Sequence, residues 1–539
     1  MTFIFSYMKR IILILFLFAS LGISAQELGL IADSTRAYTN TPKREFRGVW
    51  VHTIGQDYFA SLTSEQVRDT LCRQLDLFQE LGFNTLLFQI RPEGDAFYKS
   101  DIEPWSRYLT GEQGKEPDDE YFDPMQFLID ECHSRCMEFH AWMNPYRANI
   151  NKAKPLAWGH IYGEKRYMFV SYGQMLLWNP GVPESREFIC KVVKDVVTRY
   201  DVDAIHFDDY FYPYPIRGLK FPDEQTFRRY GHEQGFSFNE KDDWRRHNVD
   251  LLIHELHDTI RSVKPWVRFG ISPFGIYRNK SRHENGSDTN GLSCYDDLYA
   301  DVLLWIRNGW IDYCVPQLYW PDGHKNADYT TLLKWWSKYT LAPCKLYVGQ
   351  DVSRTYQQMN RKMTLARETR NVEGNCFFSG KMIIENLGGI QDSLRAYQSK
   401  PALLPEYGNI DTEKPKAPQN LRLAICHKDS VRTNLVLNWD MEPDSTMNEK
   451  NEVRFYAVYV FEDGEDINLE NTNALVTFTT NKEYEFPNPD SYICKYMVVT
   501  SVDRMHNESL PAFIQYDPER VAIPELEIPE LKRGETTEP

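Results

Sequence analysis

Asp201-Val-Asp-Ala-Ile-His-Phe-Asp-Asp-Tyr-Phe-Tyr-Pro213 decides the fold. It starts as a short apolar strand and runs out into two consecutive acids, Asp208 and Asp209, followed by the aromatics Tyr210, Phe211 and Tyr212. A buried strand that emerges into acids and rings is the form taken by the mouth of a parallel barrel that handles sugars. Alternation along a strand places His206 and Asp208 on one face, and Phe207 and Asp209 on the other. Asp208 is therefore the first candidate for an inward catalytic group. A single acid at a strand end often caps the next segment or neutralises an arginine. A pair flanked by aromatics points to function instead.

Working outward, strand and helix patterns alternate. Strands are expected at Phe46–Thr53, Thr85–Arg91, Glu138–Met143, Ala204–Asp208, Arg268–Phe274, Asp312–Leu318, Lys345–Gln350 and Cys376–Ser379. Helices are expected at Ser64–Leu81, Asp123–Arg135, Pro183–Tyr200 and about Asp242–Val263. Eight strands separated by helical segments predict an α/β chain: a (β/α)8 TIM barrel over residues 42–400. No glycine-rich phosphate fingerprint follows the first strand, so nucleotide binding is not supported. Residues 401–418 carry Pro401, Pro405, Pro415 and Pro418 and read as a linker. Residues 419–516 read as a small all-β, immunoglobulin-like sandwich. The order Pro-Gln-Asn-Leu421, a strand ending in Trp439, then Tyr456-x-Val-Tyr459 resembles a fibronectin type III domain. Residues 517–539 are Pro- and Glu-rich and are expected to be disordered.

Bulk properties narrow the function class. Net charge is -16, and no basic stripe is visible, so nucleic acid is not an expected partner. Aromatic content is 14%, with 13 Trp and 32 Tyr, in keeping with flat faces that meet sugar rings. Residues 1–25 read as a secretory signal: Lys9 and Arg10, an apolar run from Ile11 to Ala19, and small residues up to Ala25. No other run is long enough to span a bilayer, so an exported chain, periplasmic or extracellular, is expected, with no lipid anchor. The ten Cys lack paired CxxC spacing. Cys132 and Cys136 sit one helical turn apart without two further zinc ligands, and Cys426 and Cys494 are near enough in sequence to share one small domain and pair.

Active sites of this fold sit at the C-terminal ends of the strands. The strand ends offer Trp50 and His52; Arg91, Glu93 and Asp95; His140, Trp142, Asn144 and Tyr146; His206, Asp208, Asp209 and Tyr210; Gln317, Tyr319 and Trp320; and Asp351. Glycoside hydrolysis needs such a set: one carboxyl group protonates the leaving oxygen, and another stabilises or attacks the oxocarbenium-like centre. Asp208 is the candidate for the second role, while Asp95, Glu93, Asp209 and Asp351 compete for the first. Arg91 could equally be a scaffold partner of a nearby acid, and each Trp taken alone fits a core. A metal is not expected, since the first strand has His52 alone and no His-x-His pair. No Gly-x-Ser-x-Gly elbow appears, and no cofactor is implied.

The motifs together resemble glycosyl-hydrolase-like family ten, long catalogued as a domain of unknown function. They are Phe46-Arg-Gly-Val-Trp50, Gln89-Ile-Arg-Pro-Glu-Gly-Asp-Ala-Phe-Tyr98, Pro104-Trp-Ser106 with Leu109-Thr-Gly111, His140-Ala-Trp-Met-Asn-Pro-Tyr-Arg147, Trp178-Asn-Pro-Gly181, Ile205-His-Phe-Asp-Asp-Tyr210, Gly270-Ile-Ser-Pro-Phe-Gly275 and Pro316-Gln-Leu-Tyr-Trp320. The resemblance implies a catalytic barrel in exported bacterial proteins that act on glycans. Relatives in that family hydrolyse peptidoglycan glycan strands stripped of stem peptides. Its pattern lands on Arg91, Asp95, Asn144, Tyr146, Asp208, Asp209, Gln317 and Tyr319. Two departures stand out: Cys136 and Ala204 occupy positions where Gly is expected. The expectation is a secreted glycoside hydrolase acting on peptidoglycan or a related amino-sugar polymer. The alternatives are a non-catalytic glycan-binding protein, or a hydrolase of a dietary or host polysaccharide.

Overall fold

The computed structural model describes residues 41–428, 433–442 and 449–520. The expected signal segment, and the tail beyond residue 520, lie outside the described residues.

Eight parallel strands close into a barrel: β1 Phe46–Val51, β2 Thr85–Arg91, β3 Glu138–Met143, β4 Ala204–Phe207, β5 Arg268–Ile271, β6 Tyr313–Cys314, β7 Lys345–Asp351 and β8 Val372–Phe378. Each strand neighbours the next in sequence, and β1 pairs with β8 to close the ring. Buried on both faces, the strands read as apolar runs. Helices pack outside: α1 Ser64–Glu80, α2 Pro124–Ser134, α3 Pro183–Arg199 and α4 Lys241–Val263 are the four expected, each within a residue or so. Their starts are chemically marked. Thr63 and Gln66 form a capping box on α1, and Asp123 accepts from the amides of Met125 and Gln126 ahead of α2, with Pro124 in its first turn.

Three strands differ from expectation. β5 stops at Ile271, three residues short of Phe274, because Pro273 has no N–H to continue the ladder. β6 is only two residues long because Pro316 lacks an N–H and interrupts the ladder. Pairing resumes at Gln317, which bridges Phe274 and Gly349 at the barrel mouth. β8 begins at Val372, four residues early, because Glu373, Gly374 and Asn375 hide it from an apolar pattern. A three-stranded antiparallel sheet after β3 (Arg147–Asn149, Met175–Trp178, Phe169–Tyr172) was not expected from the sequence.

Beyond the barrel, seven antiparallel strands form two sheets: β9 Gln419–His427, β10 Thr433–Asp440, β11 Val453–Phe461, β12 Leu475–Thr479, β13 Glu483–Pro487, β14 Tyr496–Asp503 and β15 Ala512–Gln515. Their orders are β9-β10-β13 and β12-β11-β14-β15. Leu435, Leu437 and Trp439 of one sheet meet Val458, Met497 and Val499 of the other in a shared core. Cys426 and Cys494 do not pair in it; both are free thiols.

This sandwich sits on the N-terminal face of the barrel. Arg454 and Arg504 both bind Asp201, at 3.0 and 2.6 Å, just ahead of β4. His506 Nε2 lies 2.6 Å from Glu138 at the start of β3, and Arg268 donates to the same oxygen at 2.5 Å. Burial alone would raise the Glu138 pKa; Arg268 and His506 more than offset that and hold it well below the usual carboxylate range. Cys136 has φ of 57°, the left-handed region that favours glycine. Its side chain packs against the apolar cluster of the sandwich, which gives this departure from Gly a structural reason.

Candidate active site

A cavity of about 320 Å³ opens at the C-terminal end of the barrel, within the range of small-molecule sites. Ten of the residues proposed from sequence line it: Trp50, His52, Trp142, Asp208, Asp209, Tyr210, Gln317, Tyr319, Trp320 and Asp351.

The acid pair forms its floor. β4 stops at Phe207, so Asp208 and Asp209 have left the ladder, and both reach the cavity. The alternation reading, which turned Asp209 away with Phe207, holds only as far as the strand does. Asp208 accepts from Asn144 Nδ2 at 2.8 Å, Trp142 Nε1 at 3.2 Å and the Tyr210 amide at 3.3 Å. Burial still raises its pKa, opposed first by the Arg147 charge. Asp209 accepts from the Tyr214 hydroxyl. Burial, then the neighbouring Asp208 charge, push the Asp209 carboxyl up to about 6. Two adjacent acids thus have different surroundings: three donors hold Asp208, while Asp209, bonded by Tyr214 and Gln317, keeps its proton up to about pH 6.

Aromatic faces line the rest. Arg147 lies 4.7 Å above the Tyr210 ring, and Tyr210 stacks on Tyr214 at 5.0 Å. Tyr319 stacks on Phe378 at 5.8 Å, and Trp320 meets Phe274 edge-on. His52 is pushed down to about 4 by burial and the Lys381 charge, so it is neutral near pH 7. Asp351 accepts from Ser353 and the Arg354 amide, so its carboxylate also caps the next helical turn.

A family profile described as Glycosyl hydrolase-like 10 matches residues 45–364. The chain belongs to that family. It is 39% identical over 489 residues to the glycosyl hydrolase YngK of Bacillus subtilis (strain 168), a match covering 86% of this chain and 92% of that one. It is 38% identical over 338 residues to the glycosyl hydrolase DigH of Escherichia coli (strain K12), covering 58% of this chain and 74% of that one. Among solved structures, the catalytic domain of β-amylase from Paenibacillus polymyxa has a TM-score of 0.44 at 11% identity, over 67% of this chain and 99% of that one. The family member described here is a glycoside hydrolase.

In this glycosyl hydrolase-like barrel, seven proposed residues lie outside the cavity lining. Asn144 touches it through Asp208 and through the Arg147 amide, from which it accepts at 2.8 Å. A register shift between Gln89 and Arg91 ends the simple alternation of β2. Arg91 instead makes two bonds to Glu103, at 2.6 and 2.7 Å, and binds the Asn144 carbonyl at 2.5 Å. Glu93 and Asp95 are fully buried in the loop after β2. Glu93 faces Arg107 at 3.3 Å, and Gln113 donates to Asp95 at 3.1 Å. Burial and then Glu93 raise Asp95 to about 7. Tyr146 packs in the main core.

His140 and His206 point inward but lie below the cavity. Two residues along a strand is about 7 Å of depth, so His140 sits one layer beneath Trp142. An indole N–H can only donate, so Trp50 Nε1, 3.2 Å away, makes His206 Nε2 an acceptor. His206 Nδ1 then donates to the Tyr313 hydroxyl at 3.1 Å, which donates to His140 Nδ1 at 2.8 Å. His140 Nε2 donates to Glu138 at 2.9 Å. Burial lowers the pKa of both histidines, which are neutral in this chain of donors. Gly270 makes room for it: a Cβ there would stand 1.9 Å from the Tyr313 ring.

The sequence reading missed Tyr214, Arg354 and Phe378, which also line the cavity. Tyr214 follows the acid pair by five residues and carried a usable signal; Arg354 and Phe378 gave none. Among the described residues, no three His, Cys, Asp or Glu side chains group as metal ligands. No described helix is long and apolar enough to cross a membrane.

Proposed function

We propose that this glycoside hydrolase cleaves peptidoglycan glycan strands free of stem peptides, or a related amino-sugar polymer. The observation that carries the reading is the acid pair, whose members differ in surroundings within one aromatic-walled cavity. Asp209 is the general acid, protonating the leaving oxygen. Asp208 is the ionised partner facing the oxocarbenium-like centre. On an N-acetylated sugar, that carboxylate can also orient the acetamido group for substrate-assisted attack. Trp50, Trp142, Tyr210, Tyr319 and Trp320 supply stacking faces, and Gln317 and His52 supply polar contacts to hydroxyls. Action on a glycan is supported by similarity to YngK and DigH, both named glycosyl hydrolases, and the peptidoglycan substrate by the resemblance of the sequence motifs.

Export is part of the proposal, supported by the basic, apolar and small-residue order up to Ala25. N-terminal sequencing of the exported protein should begin at Gln26. The sandwich is read as a fibronectin type III-like unit after a 401–418 linker, a reading supported by its three- and four-stranded sheets.

The test is product analysis on peptide-free peptidoglycan strands with wild type and Asp208→Asn in parallel. Cleavage by wild type alone supports both substrate and residue. Cleavage by both removes Asp208 from the chemistry. Cleavage by neither, with turnover of another polysaccharide, moves the substrate to dietary or host glycans.

A further inference from the structure

Two of the sequence motifs, Pro104-Trp-Ser106 and Leu109-Thr-Gly111, are absent from the catalytic cavity lining. With residues 154–159 they build a second, open groove of about 720 Å³ on the same end of the barrel, from the loops after β2 and β3. Trp158 lies on it with 102% relative exposure, and Trp105 is half-buried beside it. An exposed indole forfeits the burial that is the usual use of its large apolar area.

The backbone presenting Trp158 is held on both sides. Gln113 accepts from the Ala157 amide at 3.0 Å and donates to buried Asp95 at 3.1 Å. The His160 amide donates to the Ala157 carbonyl at 3.0 Å, and His160 is itself buried. Arg107, another lining residue, spans from Glu93 at 3.3 Å to the Pro155 carbonyl at 3.2 Å. The Gly114 amide donates to the Trp105 carbonyl at 2.8 Å. The buried acids Glu93 and Asp95 are therefore the foundation of this groove. A platform held in advance loses little freedom when it binds.

The groove is also joined to the cavity. Glu103 lines the groove and grips Arg91; Arg91 binds the Asn144 carbonyl; Asn144 donates to Asp208. One buried ion pair and one asparagine separate the two sites.

We propose that this groove is a distal binding site for a linear polysaccharide. A pyranose ring stacks on Trp158, and the exposed lining residues Glu112, Lys115 and Lys154 face its hydroxyls, while another part of the same chain occupies the cavity. The inference rests on the chain being a glycoside hydrolase and leaves the identity of the sugar to the preceding proposal.

The test uses full-length Asp208→Asn protein, alone and combined with Trp158→Ala or Trp158→Phe. Binding is measured to peptide-free peptidoglycan strands and to β-1,4-linked oligomers of N-acetylglucosamine, glucose and mannose, of two and of six or more units. The expected result is about tenfold weaker binding of the long chains in Trp158→Ala, unchanged binding of the dimers, and recovery in Trp158→Phe. On otherwise wild-type enzyme, Trp158→Ala should raise KM for long chains and leave kcat unchanged. Equal binding by Trp158→Ala at every length, or no length-dependent binding of any chain, would overturn the groove. Length- and Trp158-dependent binding of another glycan, with peptide-free strands untouched, would overturn the peptidoglycan reading and uphold the groove.

Discussion

Tyr214 donates its hydroxyl hydrogen to Asp209, the acid whose pKa burial and Asp208 raise to about 6. That donation lowers the Asp209 pKa, so losing it raises the pKa further. If Asp209 is the general acid, activity falls as pH rises through its pKa. Tyr214→Phe should shift the alkaline limb of the kcat profile to higher pH while leaving the acid limb in place. An unmoved alkaline limb would take Asp209 out of that role.

Asp208→Asn keeps one acceptor oxygen, sets an NH2 against either the Trp142 or the Asn144 donor, and removes the charge. We expect kcat to fall by about 10³-fold or more, with little change in glycan affinity. An unchanged melting temperature would show that the loss is chemical.

Arg91 and Glu103 form a buried, two-pronged ion pair. Arg91→Met alone leaves Glu103 buried and unpaired, at a cost of about 3–5 kcal/mol in chemical denaturation. Arg91→Met with Glu103→Leu should recover most of that. Activity of the double variant reports whether the strut also positions Asn144.

His506 of the sandwich binds Glu138 of the barrel at 2.6 Å. His506→Ala removes one charged hydrogen bond, and we expect a loss of about 2 kcal/mol by denaturant titration. Arg268 and His140 still hold Glu138, so the barrel should stay folded.

Asp250, on α4, is raised to about 7 by burial, while Trp305 donates to it at 2.6 Å. A folded pKa above the unfolded one means stability is full below about pH 4 and is lost as pH rises towards 7. Asp250→Asn keeps the acceptor for Trp305. It should melt close to wild type at pH 4 and be more stable at pH 8, by on the order of 1–3 kcal/mol. Equal melting at both values would mean that Asp250 titrates normally.

Much of this was legible in the sequence. β1 to β4 and their helices followed from apolar runs and caps, with ends within a residue or two. β5, β6 and β8 did not, because Pro273 and Pro316 break ladders that an apolar pattern cannot show broken, and Glu373 to Asn375 look like a turn. In the site, residues at the last inward position of a strand, such as Trp50 and Trp142, were brought to the cavity. His140 and His206 share their inward direction but not their depth, and pattern alone carries no depth. Arg91 was misplaced by a register shift that no residue type announces. Tyr214, Arg354 and Phe378 arrive from three separate segments and meet only once the ring closes.

The sandwich is bolted to the end of the barrel opposite the cavity by Asp201, Glu138 and their partners. It therefore works as a pedestal: whatever grips the sandwich holds the cavity pointing away from the grip. Neither domain can shade the mouth from a bulky, insoluble surface without breaking buried charge contacts first.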